Sequence, residues 1–218
     1  MKNIPRIFIG DNIQTGANFE LARDTMHYLT KVMRTRSCLV FGDGNEYLAS
    51  LSDDNRYLVV GDKTPHVDPS IDITLLFAPI KRTDDLLNMA TQMGVGVFQP
   101  VITARTNAQH INWDRMKKIV IEAAEQSNRN SIPKILTPIK FSDVNLSDVA
   151  FADERFAYQN KEQCDVRGVK TVFVGPEGGF SDDEFAAFDA SGAHGFSLGK
   201  TILRAELAAA IAVSKVVK

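Results

Sequence analysis

The sequence predicts an α/β protein, with a parallel-sheet domain over most of its length and a small β-rich unit before it. Three observations carry this. From Ile71 onward, apolar runs of strand length alternate with segments of helical periodicity, the pattern of successive βαβ units. Two late strands, Thr171–Val174 and Gly195–Leu198, each lead through a glycine turn into a helix. Before residue 61, short strands crowd together around hairpin turns instead.

In the first region Arg6-Ile7-Phe8-Ile9 is a short apolar segment. From Glu20 to Arg34, Leu21, Met26, Leu29, Val32 and Met33 recur at roughly helical spacing. Ser37–Phe41, Glu46–Leu51 and Arg56–Val60 read as strands joined by Gly42-Asp43-Gly44-Asn45 and Ser52-Asp53-Asp54-Asn55, both strong turn sequences. So many strands in so short a region suggest a barrel or half-barrel. Pro65 and Pro69 punctuate the polar stretch Gly61–Ser70, which reads as the linker.

Beyond it, Ile71–Phe77 is a continuous apolar strand, and Thr83–Met93 is a helix with Leu86, Leu87, Ala90 and Met93 on one face. Val95–Gln99 is a strand expected to end at Pro100. Trp113–Gln126 is a helix, Lys134–Ile139 a strand limited by Pro133 and Pro138, and a further strand falls near Val149–Ala152; Phe151–Asn160 is ambiguous. Ser181 and Glu184 form a capping-box pattern that starts a helix, and Asp182 and Asp183 suit its dipole.

Bulk properties narrow the class. The 218 residues are 44% hydrophobic, ample for a core. No long apolar run offers a membrane span, and the first residues lack the apolar centre of a signal peptide. Cys38 and Cys164 lie far apart without a CxxC pair, so neither a disulfide framework nor a structural zinc site is expected. These features together point to a cytoplasmic protein of bacterial type. A net charge of −2 argues against coating nucleic acid by charge alone, while leaving room for a local basic patch.

The chemistry concentrates in Gly175-Pro176-Glu177-Gly178-Gly179-Phe180-Ser181 and its echo Leu198-Gly199-Lys200-Thr201-Ile202-Leu203-Arg204-Ala205-Glu206. Glycine lets bare backbone approach a ligand, and in parallel sheets ligands sit at the carboxyl ends of the strands. The glycines come too late for a dinucleotide fingerprint, and Gly179 is followed by Phe180 rather than the lysine of a P-loop. What remains is a ligand gripped largely by main chain, for which adenine and methionine groups are suited, or a pair of tight turns and nothing more.

These two stretches, with Glu122-Ala123-Ala124-Glu125-Gln126-Ser127-x-Arg129, closely resemble the RsmE family, ribosomal RNA uridine-N3 methyltransferases of the SPOUT superfamily. Looser matches are Ala90-Thr91-x-x-Gly94-Val95 leading to Pro100 and Arg105, and His27 with Val32-Met33-Arg34. The chain departs from the family at Thr201, Ala205 and Leu207, and at Met89 and Gln92. The resemblance implies a PUA-like RNA-binding β-barrel over residues 1–65 and a SPOUT domain, an α/β trefoil knot, over 71–218. It implies S-adenosyl-L-methionine as cofactor, 16S rRNA of the small ribosomal subunit as substrate, and a homodimer with the active site near its interface, with no membrane and no metal.

On this reading Val174, Gly175, Glu177, Gly178, Leu198, Gly199, Ile202 and Leu203 hold the cofactor. Arg204 favours the negative charge that develops on uracil, and Glu206 accepts the proton. Arg6, His27, Arg34 and Arg129 contact RNA. Each has a plainer alternative: Arg204 pairing with Glu206 or Glu177, Glu177 ordering its own turn, Arg129 capping the preceding helix, His27 as an ordinary surface or packed histidine. Two rival functions also stand, an RNA-binding assembly factor with weak or lost catalysis, and a SPOUT enzyme acting on another RNA such as tRNA.

Overall fold

A computed structural model describes residues 4–42, 44–69, 72–107, 112–157 and 164–217. Asp43 of the first hairpin turn, Ser70 and Ile71 at the expected domain junction, and residues 158–160 of the ambiguous stretch lie outside the described residues. The chain divides into two units, residues 1–70 with 121–132, and residues 71–120 with 133–218. The inclusion of 121–132 in the first unit was not apparent from the sequence.

The first unit contains β1 (Arg6–Phe8), β2 (Asn18–Glu20), α1 (Arg23–His27), β3 (Ser37–Phe41), β4 (Glu46–Leu51) and β5 (Tyr57–Lys63). The strands form one sheet in the order β1-β3-β4-β5-β2, with β1 parallel to β3 and the other pairs antiparallel. Ile7, Leu29, Cys38, Val40, Leu58 and Val60 fill its core. The helix expected over Glu20–Arg34 is shorter, because Asn18–Glu20 pairs with β5 as a strand and the turn Tyr28–Val32 widens to π geometry. The supposed linker begins later than expected, since β5 continues to Lys63.

Arg6 corrects an expectation. It was assigned to RNA, but it is 7% exposed, and its guanidinium is committed internally. Nε donates to Glu46 Oε2 at 2.9 Å, Nη2 to Asn130 Oδ1 at 2.6 Å, and Nη1 to the carbonyls of Ala124 and Arg129 at 3.2 and 3.1 Å. Those carbonyls lie at and just beyond the C-terminal end of α3 (Trp113–Gln126), where helical carbonyls need donors and a cation suits the dipole. A buried charge is tolerable only when it is well hydrogen-bonded, and Arg6 meets that condition with four of its five N–H donors engaged inside the protein.

The second unit contains β6 (Thr74–Phe77), α2 (Thr83–Gln92), β7 (Val97–Ile102), β8 (Lys134–Ile135), β9 (Ile139–Lys140), β10 (Val149–Ala152), β11 (Thr171–Val174), α4 (Asp182–Ser191), β12 (His194–Phe196) and α5 (Ala205–Val216). The sheet runs β12-β10-β11-β6-β7-β8, with β9 also on β7, and every pairing is parallel. Leu75, Leu76 and Phe77, like Val172, Phe173 and Val174, are all buried; a run apolar on both faces is how a parallel strand reads.

Pro100 does not end its strand as expected. It pairs in register with Phe77 on one side. On the other side β8 pairs with Val97 and Phe98, and β9 with Val101 and Ile102. The proline sits where one neighbour has ended and the next has not begun, so its missing N–H interrupts no ladder there. The same break divides the expected strand Lys134–Ile139 into two short pieces.

Candidate active site

The local sequence builds the first glycine turn. Ser181 caps α4, its hydroxyl accepting from the Glu184 N–H at 3.3 Å while Glu184 Oε2 accepts from the Ser181 N–H at 2.8 Å. The other oxygen of Glu184 accepts from the Ala104 N–H at 2.7 Å, and the next residue closes the clasp, Arg105 Nη1 donating to the carbonyls of Gly178 and Phe180 at 2.9 and 3.0 Å. Beneath the turn lies an aromatic cluster. Phe180 meets Phe173 at 5.1 Å and Phe188 at 4.9 Å, both edge-on, and Phe188 stacks on Phe151 at 4.0 Å. Gly175 rests on the Phe180 ring so closely that an added Cβ would stand 3.1 Å from it.

Gly179 is required twice over. Its φ is +69°, and a Cβ there would fall 2.0 Å from Glu154 Oε1. In the second turn Gly199 has φ +135° with open space where a Cβ would point. Ser197 Oγ braces it, donating to the Gly199 carbonyl and accepting from its N–H, both at 3.1 Å.

The two turns face one cavity of about 630 Å³ at the carboxyl ends of β10 and β11. Its lining includes all eight residues expected to hold a cofactor, Val174, Gly175, Glu177, Gly178, Leu198, Gly199, Ile202 and Leu203, together with Arg204 and Glu206. Such convergence at the end of a parallel sheet is where α/β folds bind ligands.

Arg204 immediately precedes α5 and is exposed. Among the described residues its side chain makes no hydrogen bond or ion pair, so neither Glu206 nor Glu177 holds it. Glu206 is buried in the first turn of α5 and pairs with Arg82 at 3.7 Å; Glu177 Oε1 accepts from the Lys81 N–H at 3.2 Å. Sequence reasoning missed Arg82, Arg105 and Glu154 as members of this site. Arg82 reads as one charge among several at the start of α2, and no spacing ties it to a residue so distant in sequence. The Glu154 carboxyl is pushed above its usual range, first by burial and then by Asp153, with Arg105 and Arg155 pulling the other way.

The remaining expected RNA contacts belong to the first unit. His27 and Arg34 are exposed, and Arg34 adopts φ +50°. Arg129 is half-buried, its N–H donating to the Ala124 carbonyl at 3.1 Å beyond Asn128 at φ +59°, a Schellman-type helix end. Its guanidinium reaches Ser131 at 3.4 Å. The capping alternative for Arg129 is thus realised in its backbone.

Comparison with known proteins agrees with this geometry. Residues 67–217 match the RNA methyltransferase domain family. The chain is 32% identical to ribosomal RNA small subunit methyltransferase E of Rickettsia conorii, over 97% of this chain and 94% of that protein, and 34% identical to the Aquifex aeolicus protein of the same name, over 67% and 68%. A crystal structure of ribosomal RNA small subunit methyltransferase E from Neisseria gonorrhoeae, bound to S-adenosyl methionine, superposes with a TM-score of 0.80 at 27% identity, covering 97% of this chain and 96% of that one. With the two glycine turns meeting in one cavity, the whole-length likeness and the matching domain, the chain belongs to the ribosomal RNA small subunit methyltransferase E family.

Proposed function

We propose that this chain transfers a methyl group from S-adenosyl-L-methionine to N3 of a uridine in 16S rRNA of the small ribosomal subunit. The observation that carries the reading is the cavity that joins both glycine turns to an arginine with no partner among the described residues. The cavity suits the cofactor in two respects. Open space beside Gly199 leaves its backbone approachable, and the lining carboxylates Asp153, Glu154, Glu177 and Glu206 match a ligand of net positive charge. Gly175, Gly178 and Gly199 would offer backbone to it, with Val174, Ile202 and Leu203 as apolar walls. When bound, the cofactor supplies an electrophilic methyl group.

The protein then has two tasks, alignment and management of the N3 proton. Arg204, exposed at the edge of the cavity, stabilises the anion as the proton leaves. Glu206, which lines the same cavity and pairs with Arg82 at 3.7 Å, accepts the proton. The first unit, as a PUA-like barrel over residues 1–65, presents His27 and Arg34 to RNA. Arg34 holds a left-handed backbone that costs a side-chain-bearing residue about 1 kcal/mol. Arg34→Gly is therefore expected to leave the melting temperature unchanged or higher while weakening RNA binding in a filter-retention assay.

The 71–218 domain is read as a trefoil knot. After β12 at one edge of the sheet the chain returns, and α5 packs on α2, β11 and β6, the route such a knot needs. Ile202 and Leu207, flanking Arg204, are 60% and 44% exposed, which favours a homodimer that covers them. The setting is cytoplasmic, where ribosomal subunits are found; no described helix is long and apolar enough to cross a membrane.

The test is methyl transfer from labelled S-adenosyl-L-methionine to small subunits lacking the modification, with the product nucleoside identified. Label in N3-methyluridine at one position is the expected result. Label in another nucleoside, or only in tRNA, would overturn the assignment.

A further inference from the structure

Among the described residues four carboxylates line the cavity, and three are engaged. Asp153 accepts from Arg155 Nε at 2.9 Å and Nη2 at 2.8 Å, Glu177 from the Lys81 N–H at 3.2 Å, and Glu206 pairs with Arg82 at 3.7 Å. Glu154 alone, among the described residues, has neither a hydrogen bond nor an ion pair. It is half-buried, and its carboxyl occupies the space that a side chain at residue 179 would take.

A carboxylate in this position is costly. Burial and the adjacent Asp153 disfavour its charge, and Arg105 and Arg155 offset this only in part. Arg155 is already spent on Asp153 and Asp189, and the Arg105 Nη1 on Gly178 and Phe180. A partly desolvated anion without a hydrogen-bond or ion-pair partner among the described residues, set against the glycine turn of a cavity that receives a cation, is arranged for a partner that arrives with the ligand.

We propose that Glu154 is the carboxylate that receives a cationic group of S-adenosyl-L-methionine, and so makes the cavity selective for a positively charged cofactor. This rests on the cofactor reading above. The ligand offers two positive groups, the ammonium of its amino-acid end and the sulfonium, and both call for the same anion. S-adenosylhomocysteine keeps the first and lacks the second.

The test is calorimetric titration of wild type and Glu154→Gln with both ligands, alongside thermal melting without ligand. Glutamine keeps the shape and removes the charge. An ionised carboxyl whose pKa is raised by folding destabilises the folded state above the ordinary carboxylate range, so the ligand-free variant is expected to melt at the same temperature as wild type or higher. Its affinity for S-adenosyl-L-methionine is expected to fall at least tenfold. An equal fall for S-adenosylhomocysteine assigns the ammonium, and a fall for S-adenosyl-L-methionine alone assigns the sulfonium. Wild-type affinity should also weaken as pH is lowered and Glu154 protonates, with Asp153, Arg105 and Arg155 as its charged neighbours, and this component should be absent from the variant. Wild-type binding with an unchanged affinity in Glu154→Gln overturns the assignment of Glu154. Failure of wild type to bind either ligand overturns the cofactor reading instead.

Discussion

Replacement of Arg204 by alanine is expected to reduce methyl transfer by about 10²–10³-fold, the usual effect of removing one preorganised group from a developing anion. Cofactor affinity should stay within a few-fold of wild type. The contrast follows from where the side chain sits. Arg204 lines the cavity, yet no described residue hydrogen-bonds or ion-pairs with it, so its removal orphans no buried charge among them. A structural arginine such as Arg6 would behave differently. Single-turnover transfer and calorimetry on the same preparation separate the two effects. If cofactor affinity collapses while the melting temperature holds, Arg204 serves the cofactor rather than the uracil.

The largest effect on stability is expected at Phe188. Its ring is fully buried, stacks on Phe151 at 4.0 Å and meets Phe180 at 4.9 Å and Phe141 at 5.3 Å, both edge-on. Phe188→Ala should cost about 3–5 kcal/mol, the range for truncating a buried aromatic that leaves a cavity, measured by urea unfolding followed in the far ultraviolet. The consequence reaches the site, because the Phe180 ring that Phe188 supports also carries Gly175. Even under conditions where the variant is folded, its cofactor affinity should be reduced. A loss below about 1 kcal/mol would mean that the neighbouring rings close the gap by themselves.

Much of the site was legible in the sequence because its two turns are local objects. Glycine where the backbone turns left-handed, a serine and glutamate three residues apart, and a β-branched run ahead of them are all encoded within a dozen residues. The structure places them as read, with Ser181 capping α4 and Gly179 and Gly199 at positive φ. The helix Trp113–Gln126 and the strands Ser37–Phe41, Glu46–Leu51 and Thr171–Val174 were equally plain, since periodicity reports which faces are buried. What the sequence determined by itself is therefore the kind of each strong element, the parallel α/β class of the larger unit and the two glycine turns that line one cavity. Only the tertiary structure decided which charges find one another. Arg6 lies 40 residues from Glu46 and 124 from Asn130, Arg105 closes on a turn beyond Phe173, Arg82 meets Glu206, and Glu154 comes to lie against Gly179 with no hydrogen-bond or ion-pair partner among the described residues. Pro100 stays within its strand because of where two neighbouring strands begin and end. Local pattern records the preference of a segment for burial and backbone shape; the partner of a buried charge depends on how segments far apart in sequence come together, and no spacing along the chain encodes that.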